Sequence, residues 1–374
     1  MANFIVQFPL KTEKYQENIL DKRFEIGRRI YNSLVNVTQK RYKEMIKTKK
    51  YRNLDYDNYY EYQAMQSDIS YCRIVRKYVR NKYKYYVQIV FKGNPPVKVD
   101  TKTGEIKHHI GQGDVGLDIG TSTIAYSSST DVKILELADN VQNIENQKRR
   151  LLRKMDRSRR ATNPNNYNED GTIKKQGSKK VTWNKSNHYI KYQNELKELN
   201  RKQADIRKYQ HECLANQIIS LGDSIYVEAM NFSGLTKKST KTEKNDKGRF
   251  KKKKRFGKSI ANRAPAMLLE IIDRKLSYYD KHLIKIDTWS AKASQFNHFD
   301  GTYNKKTLSQ RWNDFSGIKI QRDMYSAFLI MNIASDLKSF DIDKCNERFE
   351  NFYRLHNLEV DRLTGHKNLS SIAI

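Results

Sequence analysis

Apolar and polar positions change period several times along the 374-residue chain. Residues 3–8 alternate in the two-residue period of a strand, which Pro9 closes. Over 13–48 the pattern turns helical: Leu20, Phe24, Tyr31, Leu34 and Val37 recur at three- to seven-residue intervals on a Lys/Arg-rich stretch. A Tyr/Asp-rich loop near 55–60 follows, then a second predicted helix at 67–80. Residues 83–91 form a β-branched and aromatic strand ended by Gly93, Asn94, Pro95 and Pro96. The N-terminal part therefore predicts a small β module, 1–12 with 77–112, interrupted by a helical insertion at 13–76.

After Gly111-Gln112-Gly113 the texture changes. Three short strand patterns, 115–119, 123–126 and 132–137, are separated by Gly/Ser/Thr turns and predict an antiparallel meander. A strongly basic segment at 148–160 and a turn-rich loop at 163–177 come next. Residues 186–220 predict one long helix, with Tyr192, Leu196, Leu199, Ile206, Cys213 and Ile218 near one face. Residues 224–230 (SIYVEAM) read as a buried strand carrying one acid, and 237–258 is almost pure charge, the pattern of a solvated loop. An amphipathic helix at 265–279, a strand at 282–289 and a helix at 321–337 follow, with an appended helix and loose tail over 341–374. No internal repeat and no sustained heptad occurs. The predicted class is α/β.

Charge narrows the function. Seventy-two Lys and Arg against 42 Asp and Glu leave a formal +30, a self-repulsion that a polyanion relieves. Nucleic acid fits, since each neutralised phosphate also releases a counterion. A ribosome-associated protein and an anionic-membrane binder are the plainer alternatives. Twenty-four tyrosines are compatible with base stacking, although most serve as core or surface filler. No run of 18 apolar residues is present and the N-terminus lacks signal-peptide order, so the expectation is a cytoplasmic protein without a membrane partner, nucleoid-associated when bound to DNA. The three cysteines, Cys72, Cys213 and Cys345, form no CxxC pair and encode neither a disulfide framework nor a local cysteine zinc site.

Among the acids, three stand out because their neighbours are apolar or small. Asp118 lies in Val-Gly-Leu-Asp-Ile-Gly, Glu228 in Ile-Tyr-Val-Glu-Ala-Met, and Asp323 opens a helix continuing Tyr-Ser-Ala-Phe-Leu-Ile-Met. A buried carboxylate needs a cation or hydrogen-bond donors. Taken singly, each is better explained by a salt bridge to one of the many Lys or Arg, Arg322 making this easy for Asp323. Taken together, on two strands and a covering helix, they suit a hard divalent ion, Mg²⁺ or Mn²⁺, in phosphodiester hydrolysis. Gly116 and Gly120 would let a phosphate backbone approach.

These residues resemble the TnpB/OrfB transposon-encoded nucleases, relatives of the type V CRISPR effectors. Gly116-Leu-Asp118-Ile-Gly120 is similar to the first RuvC motif, Val227-Glu228-Ala-Met-Asn-Phe-Ser-Gly-Leu235 to the second, and Gln321-Arg322-Asp323-Met-Tyr-Ser-Ala327 to the third. The resemblance covers residues 4–340, including the basic helix between the first two motifs and Arg-Ile-Tyr-Asn at 29–32.

The resemblance implies an RNase H-like (RuvC) core, preceded by a β-barrel-like wedge module carrying the helical insertion. Motifs one and two would fall in 113–292, and the third motif helix in 318–340. It further implies RNA-guided DNA cleavage, with a guide RNA derived from the transposon end and a double-stranded target bearing a short adjacent motif. Asp118, Glu228 and Asp323 would be catalytic metal ligands. Lys148, Arg149, Arg150, Arg153, Lys154, Arg157, Arg159 and Arg160, with Lys251, Lys252, Lys253, Lys254 and Arg255, would contact nucleic-acid backbone.

In two respects the chain departs from the family. The zinc-ribbon cysteines are absent from 293–317, where the expectation is a zinc-free insert held by Phe296, Leu308 and Trp312, with His298 unable to make a tetrahedral site alone. The N-terminal half is also short. Two other readings stay open: an RNA-guided DNA-binding repressor that no longer cuts, and an RNase H-like transposase or resolvase.

Overall fold

The structure is a computed structural model and describes residues 3–45, 69–80, 82–93, 98–100, 102–174, 181–237, 240, 256–307 and 310–365. The loop expected near 55–60 and the charged stretch 241–255 lie outside the described residues. The chain divides into two compact units, the first ending at Asn94 and the second beginning at Pro95.

In the first unit, β1 (Asn3–Pro9), β2 (Ile69–Val79) and β3 (Lys82–Lys92) form an antiparallel sheet in the order β1-β3-β2, joined by the long helix α1 (Lys14–Met45). Buried Tyr85 of β3 donates to Asp21 on α1 at 2.7 Å, and its ring lies 6.1 Å from that of Phe24. The helix expected at 67–80 is overturned. Ile74, Val75 and Val79 are β-branched and Tyr71 and Tyr78 aromatic, residues that lose rotamer freedom in a helix but fit a pleated surface. From Tyr71 to Val79 every position pairs with β3.

The second unit is mixed α/β. β4 (Asp114–Ile119), β5 (Thr123–Ser127) and β6 (Val132–Glu136) make the antiparallel meander expected from the sequence. Two helices follow: α2 (Gln142–Thr162), which carries the basic segment, and α3 (Asn187–Ile219). β7 (Ser224–Glu228) returns parallel to β4, and β8 (Ile284–Ile286) parallel to β7, giving the order β6-β5-β4-β7-β8. Between those strands lie α4 (Phe232–Thr236), α5 (Gly257–Arg263) and α6 (Pro265–Leu276). After β8 come α7 (Thr288–Ala291), a hairpin of β9 (Trp312–Phe315) and β10 (Ile318–Gln321), α8 (Arg322–Met331) and α9 (Ile342–Gly365). The strand expected at 282–289 shortens because Asp287 caps α7. Residues 95–112, expected with the N-terminal module, fall in this second unit, where the Gly111 amide donates to the Ile219 carbonyl at 2.8 Å.

Strand alternation splits the apolar side chains into two cores. Val115, Leu117, Ile119, Ile225 and Val227 face α3 and α6, meeting Ala215, Ile218, Leu268 and Ile272. The other face carries Ala125, Ile134 and Ile286 against Met324, Ala327 and Phe328 of α8 and Phe352 and Leu355 of α9. α9 is thus part of the core rather than an appendage. Its buried Glu359 accepts from the Ile134 amide of the edge strand at 3.3 Å and is held by Arg362 at 2.6 Å, covering backbone that would otherwise be open to strand pairing. α8 stops at Met331 instead of 337, because Asn332 Nδ2 turns back to the Phe328 carbonyl at 2.9 Å and Ile333 pairs with Phe340.

Among the described glycines of this unit, Gly116 has the least room. A Cβ there would fall inside van der Waals contact of the Ala327 carbonyl oxygen and the Met331 amide nitrogen. The glycine therefore seats α8 on the sheet. The expectation that it admits a phosphate is corrected, since helix backbone already fills the space. Gly120 is looser, with its nearest atom, Thr123 Oγ1, at 3.4 Å from such a Cβ. Gly116→Ala should therefore destabilise the protein by at least about 1–3 kcal/mol, the cost of overpacking against backbone that cannot yield. Gly120→Ala should cost well under that. Urea unfolding midpoints check the pair, and equal midpoints for wild type and Gly116→Ala would contradict this packing.

Candidate active site

Three parallel strands, β4, β7 and β8, end on the same edge of the sheet. β4 and β7 pair Gly116 with Tyr226 and Leu117 with Val227, so the next step along the ladder sets Asp118 beside Glu228. Glu228 in turn pairs with Ile286. Alternation puts Asp118 and Glu228 on the face of Gly116, the face that α8 covers.

α8 brings the third acid. Ala327 sits over Gly116, and Asp323 lies one turn nearer the helix N-terminus. Two residues along the strand, about 6.8 Å, match four along the helix, about 6 Å, so Asp323 stands over the region of Asp118. Gln321 fixes that end of the helix: its side chain accepts from the Met324 amide at 2.8 Å, and its own amide donates to His356 Nε2 at 3.0 Å.

The electrostatics follow from this convergence. Asp118 keeps part of its surface open, yet protein atoms crowd its carboxyl group. Desolvation pushes its pKa well above the ordinary 3.8, and the charges of Asp323 and Glu228 push it further. The Arg322 charge and the neighbouring Ser326 hydroxyl work in the opposite direction. Burial raises Glu228 as well. Asp323, 17% exposed, accepts from Arg322 at 2.9 and 3.0 Å and lies 3.7 Å from Arg311. With its carboxylate turned onto arginines, no three His, Cys, Asp or Glu side chains among the described residues converge closely enough to hold one metal ion.

Ser326 and Arg311 escape the sequence reading. Ser326 was legible in principle, three residues after Asp323 on the same helical face. Arg311 was not, because only the β9–β10 hairpin brings it back.

The basic residues are distributed unevenly. On α2, Arg149, Arg150, Arg153, Lys154 and Arg157 are exposed. Arg160, also exposed, binds Asp156 at 2.9 Å and the Gly171 carbonyl at 3.0 Å. Lys148 is half-buried and donates to Gln203 at 2.8 Å; Arg159 binds Asp156 at 2.7 Å and stacks 5.0 Å over Trp183. Lys251, Lys252, Lys253, Lys254 and Arg255 lie outside the described residues. Both flanks of that charged stretch are nonetheless rooted beside the acids: α4 starts four residues after Glu228, and Ser259 of α5 donates to the Thr121 carbonyl, three residues after Asp118, at 3.0 Å.

Within 293–317, Phe296 is buried against Phe340 (4.8 Å) and Trp312 packs edge-on to His356 (6.1 Å), while Leu308 lies outside the described residues. His298 is a core residue, its Nδ1 2.6 Å from the Tyr325 hydroxyl and its pKa lowered by burial to about 4. Among the described residues no helix is long and apolar enough to cross a membrane.

No family model matches the chain, and no curated protein matches it. Among solved structures it is similar to the mini RNA-guided endonuclease CRISPR-Cas_phi3, at a TM-score of 0.32 and 12% identity over 67% of this chain. The chain spans half of that protein's length.

The raised Asp118 has a thermodynamic signature. Between 3.8 and its folded-state pKa, the folded protein keeps a proton that the unfolded chain has released. That contribution is fully present below 3.8 and is lost as pH rises through the folded pKa. In chelator, Asp118→Asn should therefore melt above wild type at neutral pH, by about 2–4 °C for each kcal/mol relieved, with the gap closing toward pH 4. A lower neutral-pH melting temperature for Asp118→Asn would contradict the repulsion.

Proposed function

We propose that this chain is an RNA-guided DNA endonuclease of the TnpB/OrfB type, cutting phosphodiester bonds at a RuvC/RNase H-like site. One observation carries the reading: acids on two strands and one covering helix lie near one another toward the carboxyl end of a mixed sheet, around a carboxyl group that cannot easily hold its charge. The +30 charge, and the Ser259–Thr121 contact that anchors one flank of the basic stretch near Asp118, support a polyanionic substrate. The motif resemblance supplies the guide RNA and the adjacent-motif target; transposon origin rests on it alone.

The donor set suits a hard cation, because all three groups offer oxygen. Asp118 and Glu228 would hold Mg²⁺ or Mn²⁺, with Asp323 joining them on leaving Arg322. Bound there, the metal would activate water and neutralise charge building at the scissile phosphate. Ser326, whose hydroxyl donates to the Arg322 carbonyl at 3.0 Å, lies beside Asp118 and eases its charge. Arg322 and Arg311 neutralise Asp323 until it is needed, and the exposed cations of α2 grip nucleic-acid backbone. No zinc is assigned to 293–317, where cysteine is absent and His298 is spent in the core.

A specific contact favours a second reading. The Arg322–Asp323 pair satisfies the third acid without metal, as in a guided DNA-binding repressor that has stopped cutting. One measurement tests the guide that both readings require, and two separate them. Protein expressed with its flanking DNA should purify with one discrete RNA. Mg²⁺ or Mn²⁺ should raise the melting temperature of wild type but not of Asp118→Ala. Asp118→Ala should lose cleavage by roughly 10³-fold or more while guided binding persists, and Glu228→Gln or Asp323→Ala alone should be nearly as damaging as all three together. Binding without cutting across metals and targets would promote the repressor, and full cutting by Asp118→Ala would remove the site.

A further inference from the structure

Trp289 is 89% exposed, although tryptophan side chains are on average highly buried. Its exposure is built in. The Asp287 carboxylate accepts from the Trp289 amide at 3.0 Å and from Ser290 Oγ at 2.9 Å, and the Asp287 amide donates to the Leu337 carbonyl at 3.0 Å. Ala291, two residues on, is wholly buried in the core. A capped, anchored turn thus holds the indole out in water, where an apolar ring gains nothing unless something covers it.

Its position suggests what does. α7 leaves the carboxyl end of β8 directly after Ile286, the register partner of Glu228. Two strand spacings, roughly 10 Å, separate that position from Asp118 on β4. Lys285, Lys292 and Lys338 are exposed around the turn, and the charge of Lys338 is felt at Asp287. A flat π surface with cations beside it suits a nucleobase and its phosphate. Bases inside a duplex have both faces covered, whereas an unpaired base is free to stack.

We propose that Trp289 is a stacking platform for an unpaired base of the DNA strand presented to Asp118 and Glu228, a positioning residue a few nucleotides from the bond to be cut. This rests on the nuclease reading. Its test needs no cleavage: full-length protein with its copurified RNA is titrated with single-stranded oligodeoxythymidine while tryptophan fluorescence is followed. Wild type and Asp118→Ala should both be quenched. Trp289→Ala should lose the quench and, by anisotropy of a dye-labelled oligonucleotide, bind about 5- to 150-fold more weakly, the effect of one base–aromatic stack of ~1–3 kcal/mol. Trp289→Phe should keep most of the affinity. Equal affinities for wild type and Trp289→Ala would overturn the proposal, as would a Trp289→Ala change confined to self-association. Strand-dependent quenching at Trp289 without cutting in any metal would sink the nuclease reading and support the platform. Cutting with Trp289-independent strand binding would do the reverse.

Discussion

Backbone lies against backbone at Gly116, and the candidate site depends on that contact. With any side chain there, α8 would be lifted from β4 by the width of a methyl group or more. Seated as it is, the helix brings Asp323 over Asp118 through the near match between two strand residues and four helix residues. Glu228 needs no such device, since the parallel β4–β7 register delivers it. The Gln321 cap and its bond to His356 hold the helix end against sliding, and the α9 residues that cover the edge strand also hold this face together.

A molecule with 30 excess positive charges sets three acids near one another toward the carboxyl end of its five-stranded sheet. Two are strained by burial, Asp118 additionally by its companions, and the third is quieted by arginines. Such an arrangement disfavours its own charged form until a cation arrives, the condition expected of a site whose ligands are meant for something other than each other. On the proposed reading, the excess positive charge answers a different need, that of holding a polyanion.

Much of this was legible in the chain. The meander, the long helix and the acids in apolar strands follow from local periodicity, because their signals lie within a few residues. What depends on a distant partner was not. The apolar stripe of α2 is only Ile144, Leu151 and Met155 among many cations, so its helix was hidden in a basic run. β2 is decided by pairing with β3, which no window on 67–80 contains. Nothing local marks Gly116 as a packing glycine, because its true neighbour, Ala327, lies more than 200 residues further along the chain. The arginine clamp on Asp323 was half visible: Arg322 is adjacent, whereas Arg311 returns only through a hairpin.

The central claim is that Asp118, Glu228 and Asp323 serve one metal-binding task. The most direct test is anomalous scattering from crystals of the full chain soaked in Mn²⁺. The account predicts Mn²⁺ bound to Asp118 and Glu228, with Asp323 turned from Arg322 toward the ion. Mn²⁺ bound elsewhere, with Asp118 unligated and Asp323 still on Arg322, would contradict it.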